Sequence, residues 1–299
     1  MTALSDNARG ALLMMAAMAA FTVNDTFLKA VFDELPLFQA IFLRGIGTTA
    51  FLFLLARAMG VFRLDFARRD WGFIGLRTVA EAAAAYFFLT ALVHMPLANV
   101  TAILQSLPLV ITLAGALFLG ESVGWRRLTA ILVGFCGVLL IVRPGAEGFT
   151  IQSVYVLASV VCVAVRDLSA RALSRGVPSL MVALAASVGV TLFGAAGSLG
   201  GAWNPVSTAA AWQLAGATLF VILGYTCSVM VMRTGEIGFV APFRYTGMLW
   251  ALLLGLAVFG QWPDTLTLVG AAIVVATGIF TLLRERRLKK AAQLPLRVR

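Results

Sequence analysis

NDTFLKAVFDELP, residues 24–36, and RDLSARALSRGVP, residues 166–178, are two versions of one phrase. In each, an aspartate (Asp25, Asp167) stands eleven residues before a proline (Pro36, Pro178), and Lys29 is answered by Arg171. Working outward, WGFIG at 71–75 corresponds to WQLAG at 212–216, and LFLGE at 117–121 to AVFGQ at 257–261. Arg143 and Arg284 close the two copies. The offsets stay between 140 and 142 residues and keep their order. Each match is weak alone, but together they describe an internal duplication, which governs any reading of the fold.

Each copy is built for lipid. Of 299 residues, 61% are hydrophobic and 12% charged, about half the charged share of a soluble domain; the mean hydropathy is +0.97. Ten segments have the roughly 17–25 residues that a membrane-crossing helix needs: 10–30, 38–56, 71–92, 98–118, 124–142, 152–172, 178–198, 210–232, 239–260 and 264–283. Pro36, Pro96, RPGAEG, RGVP, WNP and QWPD punctuate the connections. Hydrocarbon offers no water to backbone polar groups, so helices are the expected spanning form, and no alternating barrel-type strands are present. Arg9 and AMAA at 17–20 resemble parts of a signal peptide. The apolar run continues through Phe21 into further spans, so an uncleaved first helix is expected.

Five spans per copy is an odd number, so the second copy enters the membrane from the opposite face. The expectation is an all-α polytopic membrane protein with ten transmembrane helices in a 5+5 inverted-topology repeat. The repeats run over 8–143 and 152–284, and 285–299 form a basic tail. Such a repeat is the usual basis of alternating access around a site near the midplane. With the N-terminus in the cytoplasm, the cytoplasmic segments hold seventeen Lys and Arg residues, against Arg143 alone in the opposite loops. That bias places both termini inside a bacterial-type inner membrane.

Several classes are disfavoured. Cys136, Cys162 and Cys227 lie in apolar runs without ligand spacing, so no disulfide framework, zinc site or other cofactor is expected. The formal charge of +10 is concentrated in LLRERRLKKAAQLPLRVR, a tail suited to lipid headgroups rather than nucleic acid. There is no GxxxxGK[ST] motif for ATP chemistry and no HExxH. An enzyme is therefore not expected; a channel or an integral-membrane enzyme is the alternative of another class.

At FTVNDTFLKA (21–30), LPLFQAIFLRG (35–45) and LPLVITLAGALFLGESVGWRRLTAILVGFCGVLLIV (107–142) the chain resembles the ten-helix drug/metabolite transporters built from two EamA-type domains. The resemblance covers roughly 8–285. Pro108, the LGE turn and the glycine-punctuated fifth span carry it best. In the second copy Met248 stands where the proline belongs and Gln261 where the turn glutamate belongs. The resemblance implies a central cavity and carriage of amino acids, nucleobases, riboflavin, cationic drugs or other metabolites, in either direction.

Charges inside the spans are the candidate site, because a charge in hydrocarbon costs several kcal/mol unless it faces a cavity or a partner. Asp25, beside Asn24, and Arg44 lie at matching depths in the first two spans. They form either a structural pair or a solute site in which Arg44 holds a carboxylate or phosphate-like group and Asp25 orients it. Lys29 can snorkel to the interface. Asp167 occupies the repeat position of Asp25, so the two acids suit symmetric gates or symmetric structural pairs. Its neighbour Arg166 points about 100° away around the helix. Arg77 and Glu81 share one helix face; Glu81 is either a protonatable coupling carboxylate or half of a satisfied pair. Arg244, Tyr245 and Trp250 follow Pro242 and suggest a second anion-binding group with aromatic surface. Gln105, Tyr225 and the rings at 85–88 are further lining candidates. Glu121 reads as architectural and His94 as solvated. The arginines favour an amino acid or a related zwitterion or anion as the solute, with protons as the candidate coupling ion. Riboflavin or a nucleobase-like ring is the alternative. The partners expected are therefore a small solute and the lipid bilayer, with no nucleic acid.

Overall fold

The computed structural model describes residues 6–118, 124–143, 150–174, 176–234 and 237–293. Among these, every regular element is helical. The order is α1 (Asp6–Val31), α2 (Leu37–Ala58), α3 (Arg68–His94), α4 (Leu97–Leu104), α5 (Leu107–Phe118) and α6 (Trp125–Val142). Then come α7 (Ile151–Arg171), α8 (Ser179–Ser198), α9 (Thr208–Thr234), α10 (Ile237–Val240), a 3₁₀ segment (Ala241–Tyr245), α11 (Thr246–Phe259) and α12 (Thr265–Gln293). Among the described residues nine spans are long and apolar enough to cross a membrane, and α6, apolar over Leu128–Val142, is a shorter tenth. The chain is an all-α polytopic membrane protein with the symmetric helix contacts of an inverted repeat.

Local chemistry sets the helix ends. Pro36 and Pro178, the repeat-related prolines, are the N-caps of α2 and α8, where a missing N–H interrupts no helical hydrogen bond. Gly260 ends α11 at φ 62°, in the left-handed region that glycine enters without a Cβ clash. Arg143 ends α6 in the same region, at φ 51°, although it carries a side chain. Its guanidinium pairs with Asp264. Asp264 in turn caps α12, accepting from the Thr267 N–H at 2.9 Å.

Three spans depart from the simplest reading. The fourth is broken between α4 and α5: the Ser106 N–H bonds to the Ile103 carbonyl, three residues back, and Pro108 offers no N–H to the Leu104 carbonyl. The ninth is divided into α10, the 3₁₀ segment containing Pro242, and α11. At the repeat offset of 140 residues, Gln105 corresponds to Tyr245, so both copies break at one place. The tenth runs on as helix to Gln293, through the helix-forming stretch RERRLKKAAQ. Glu121 lies outside the described residues.

The chain forms two compact units, 23–100 with 150–222, and 1–22 with 101–149 and 223–299. In the former, α2 packs on α8, and α3 on α7 and α8. A Cβ on Gly194 would lie 2.7 Å from the Phe42 backbone nitrogen, so α8 approaches α2 to backbone contact. The Thr49 hydroxyl bonds with those of Ser187 at 2.8 Å and Thr191 at 3.0 Å. Thr49 and Thr191 are 142 residues apart and are therefore repeat counterparts. A residue touching its own counterpart sits on the axis relating the copies, so α2 and α8 meet there. In the latter unit α6 packs along α12. A Cβ on Gly137 would lie 2.9 Å from the Gly270 carbonyl oxygen, the small-residue contact that membrane helices use in place of a hydrophobic driving force.

Candidate functional site

Within the unit of 23–100 and 150–222, two charged clusters grow from the repeated aspartates. In the first, Asn24 Nδ2 donates to Asp25 Oδ1 at 2.9 Å, and Arg44 Nη1 donates to Asn24 Oδ1 at 3.2 Å. Asn24 is therefore a bridge between Arg44 on α2 and Asp25 on α1. Its amide can serve because it presents donor and acceptor from one group. In the second, Arg166 Nε donates to Asp167 Oδ1 at 2.9 Å, and Arg166 Nη1 donates to Glu81 Oε1 at 3.1 Å. Arg77 Nη1 lies 3.6 Å from Glu81 Oε2.

The two clusters share one local device: the residue before each aspartate hydrogen-bonds that aspartate's Oδ1. The neighbours 100° apart do meet, because the long arginine side chain folds back along α7 while still reaching α3. What differs is the third party. In the first copy it is a cation, Arg44; in the second it is an anion, Glu81, with Arg77 behind it. Both clusters contain equal numbers of acids and bases. The side chains of Arg77, Glu81, Arg166 and Asp167 remain between 16% and 27% exposed, so the cluster is within reach of a small molecule.

Lys29 is not at an interface. It is buried on α1, with Nζ donating to the Leu92 carbonyl at 2.6 Å and the Met95 carbonyl at 2.7 Å. A cation there satisfies carbonyls that end α3 and complements the negative end of its dipole. His94 ends the same helix, with Nδ1 3.0 Å from the Thr90 carbonyl. The rings of the same unit gather around α3: Tyr86 stacks on Phe38 at 6.0 Å, and Phe87 meets Tyr155 at 5.8 Å.

The other predicted residues belong to the unit of 1–22, 101–149 and 223–299. The two helix breaks come together there. A Cβ on Gly247, just past the second break, would lie 3.6 Å from Gln105 Nε2 at the first. Ser106 and Tyr245 are buried, and among the described residues neither hydroxyl has a hydrogen-bond partner. Arg244 is half-buried on the 3₁₀ segment. Trp250 lies on an exposed face of α11, away from this junction, and Tyr225 packs edge-on against Phe21 at 5.5 Å.

Sequence reading missed the hydroxyl cluster of Thr49, Ser187 and Thr191, although Thr49 and Thr191 share the repeat offset. It also missed Gln39, buried at the start of α2, which donates to the Asn204 carbonyl at 2.8 Å and accepts from the Asn204 N–H at 3.0 Å. No spacing in the sequence connects those two residues.

Residues 8–143 match the EamA-like transporter family. The chain is 27% identical over 280 residues to the pseudopaline exporter CntI of Pseudomonas aeruginosa, covering 90% of this chain and 94% of the relative. It is 28% identical over 227 residues to a riboflavin transporter of Vibrio cholerae, covering 75% of each. It is 25% identical over 200 residues to an S-adenosylmethionine uptake transporter of Rickettsia bellii, covering 64% and 66%. One crystal structure shares the fold at a TM-score of 0.63 and 19% identity, covering 94% of this chain and 98% of the other. The chain is an EamA-like polytopic transporter of the drug/metabolite type, homologous to small-molecule exporters and importers. It moves small solutes across a bacterial-type inner membrane.

Proposed function

We propose that this EamA-like transporter carries an amino acid or a related zwitterion or anion, by alternating access between five-helix repeats at 8–143 and 152–284. Both termini are cytoplasmic, and a proton or other gradient drives the cycle. The observation that carries this reading is the duplicated, charge-balanced aspartate cluster: Asn24, Asp25 and Arg44 in one copy, Asp167, Arg166, Glu81 and Arg77 in the other. A zwitterion can offer its carboxylate to the arginine and its ammonium to the acid, so that no charge is left unpaired in a low-dielectric setting. A simple cation or anion cannot do both.

In this reading Arg44 holds the solute carboxylate, with Asn24 and Asp25 orienting it. Asp167 serves the mirror-related gate, and Glu81 is the carboxylate that takes up the coupling proton. The broken fourth and ninth spans, which bring Gln105 near Gly247 and carry Arg244, support it further, because discontinuous helices in corresponding positions of two halves accompany transport sites. The Rickettsia relative's name also fits, since S-adenosylmethionine is an amino acid derivative.

A second reading, an aromatic metabolite such as riboflavin or a nucleobase, is favoured by the name of the Vibrio relative and by the rings gathered around α3. One experiment addresses both. Detergent-purified protein is melted against a panel of amino acids, nucleobases and flavins, and the solute that stabilises it is tested for counterflow in proteoliposomes. Stabilisation by an amino acid in wild type but not in Arg44→Ala supports the first reading. Stabilisation by flavin alone, retained in Arg44→Ala, replaces it with the second.

A further inference from the structure

The unit of 1–22, 101–149 and 223–299 contains a cavity of about 500 Å³ that the solute clusters do not use. One wall is the 3₁₀ segment and α11, with Phe243, Tyr245 and Leu249; the other is α12, with Ala271, Val275 and Ile279. The lining is almost wholly apolar, but it holds one polar group. Tyr245 is only 5% exposed, and its hydroxyl has no hydrogen-bond partner among the described residues. The hydroxyl lies against Gly278, where a Cβ would collide with it. Leaving a buried hydroxyl unpaired is costly, and this one stands where a ligand in the cavity could accept its hydrogen bond.

Charge tells what that ligand is. The α12 helix has 29 residues, about 44 Å at 1.5 Å per residue, whereas the hydrocarbon core is about 30 Å thick. Its apolar part ends at Arg284, and positions 284–290 read RERRLKK. Gly278, which marks the Tyr245 hydroxyl, precedes Arg284 by six residues, about 9 Å along the helix. Arg244 adjoins Tyr245 on the opposite wall. An apolar cleft with a single hydroxyl donor, ending below a basic helix terminus, matches the build of a diacyl phospholipid. The acyl chain fills the cleft, an ester carbonyl accepts from the phenol, and the phosphate meets the arginines.

We propose that the cleft between the segment 241–259 and α12 is a binding site for one anionic phospholipid, distinct from the solute clusters. Tyr245 is its hydrogen-bond donor, and Arg244, Arg284 and Arg287 are its headgroup contacts.

The test is native mass spectrometry of the full chain in detergent, titrated with phosphatidylglycerol or with phosphatidylcholine of the same acyl chains. Wild type retains phosphatidylglycerol preferentially. Tyr245→Phe, which removes only the hydroxyl, weakens retention of both lipids about three- to tenfold, the worth of one hydrogen bond. Arg284→Gln with Arg287→Gln lowers the preference for phosphatidylglycerol by about fivefold per charge in contact, without weakening phosphatidylcholine. Ala272→Phe, which fills the cleft, abolishes retention of both lipids. Equal retention of the two lipids by wild type overturns the proposal, as does unchanged retention in Tyr245→Phe. If Ala272→Phe instead dissociates a dimer and leaves lipid retention intact, the cleft is an interface between copies and the lipid site is refuted. Because Ala272→Phe could also impair folding, the conservative Tyr245→Phe variant decides.

Discussion

Replacing Arg166 by alanine separates a structural role for the second cluster from a solute-binding one. The substitution removes the donor to Glu81 Oε1 at 3.1 Å and to Asp167 Oδ1 at 2.9 Å. It leaves Glu81 with Arg77 at 3.6 Å and Asp167 without its neighbour's guanidinium. A hydrogen bond to a charged group contributes about 1.5–3 kcal/mol net. These side chains are 16–27% exposed, so the lower figure applies, and two bonds amount to about 3 kcal/mol. That is also the lower end of what breaking a buried pair costs when a charge is left behind. The assay is reversible unfolding in mixed detergent micelles for wild type, Arg166→Ala, Glu81→Gln and the double variant. Arg166→Ala is expected to lose about 3 kcal/mol. The double variant is expected to lose less than the sum of the singles, with about 1–2 kcal/mol of coupling. A loss below about 1 kcal/mol with no coupling would refute the structural argument. If transport is abolished in that case, Arg166 serves the solute instead.

Three further outcomes follow from the packing and the caps. Gly194→Val puts a side chain where even a Cβ lies 2.7 Å from the Phe42 backbone nitrogen; α2 and α8 must then part, at a cost of about 1–3 kcal/mol or more, read by the same unfolding assay. Gly278→Ala drives a methyl into the Tyr245 ring and destabilises by a similar amount, and Tyr245→Leu in that background restores most of the loss. The last concerns pH. Burial pushes the Asp264 carboxyl up, but the Thr267 N–H, the Arg143 guanidinium and the Thr267 hydroxyl outweigh it and hold the group below its usual value of 3.8. Its folded-state value is thus the lower one, so its contribution is present above about pH 4 and is lost as pH falls through the folded value. Asp264→Ala should cost about 1 kcal/mol at neutral pH, mostly as a lost helix cap, since the ion pair is half-exposed and screened. The difference from wild type should vanish below pH 3, as followed by unfolding at stepped pH.

Much of the architecture is legible in the chain because the bilayer imposes it. Twenty apolar residues can satisfy their backbone groups in hydrocarbon only as a helix, so composition and run length suffice to place the spans to within a few residues. Pro36 and Pro178 mark the starts of α2 and α8 because proline acts locally, through its own ring and missing N–H. The internal duplication is likewise written in spacing, and it aligns Asp25 with Asp167 and Thr49 with Thr191.

Tertiary structure decided which polar groups meet, and the reason is reach. Lys29, Arg44 and Arg166 carry long side chains, and on an isolated helix each could extend toward several neighbours. Only the packing of α1 on the end of α3 sends Lys29 to the Leu92 and Met95 carbonyls rather than to the membrane surface. Only the approach of α3 to α7 lets Arg166 span Glu81 and Asp167 together, and only Asn24 joins Arg44 to Asp25. The continuity of the fourth and ninth spans was also beyond local reading. Hydropathy is the same on both sides of a break, whereas the break depends on which carbonyls find donors once the helices are packed.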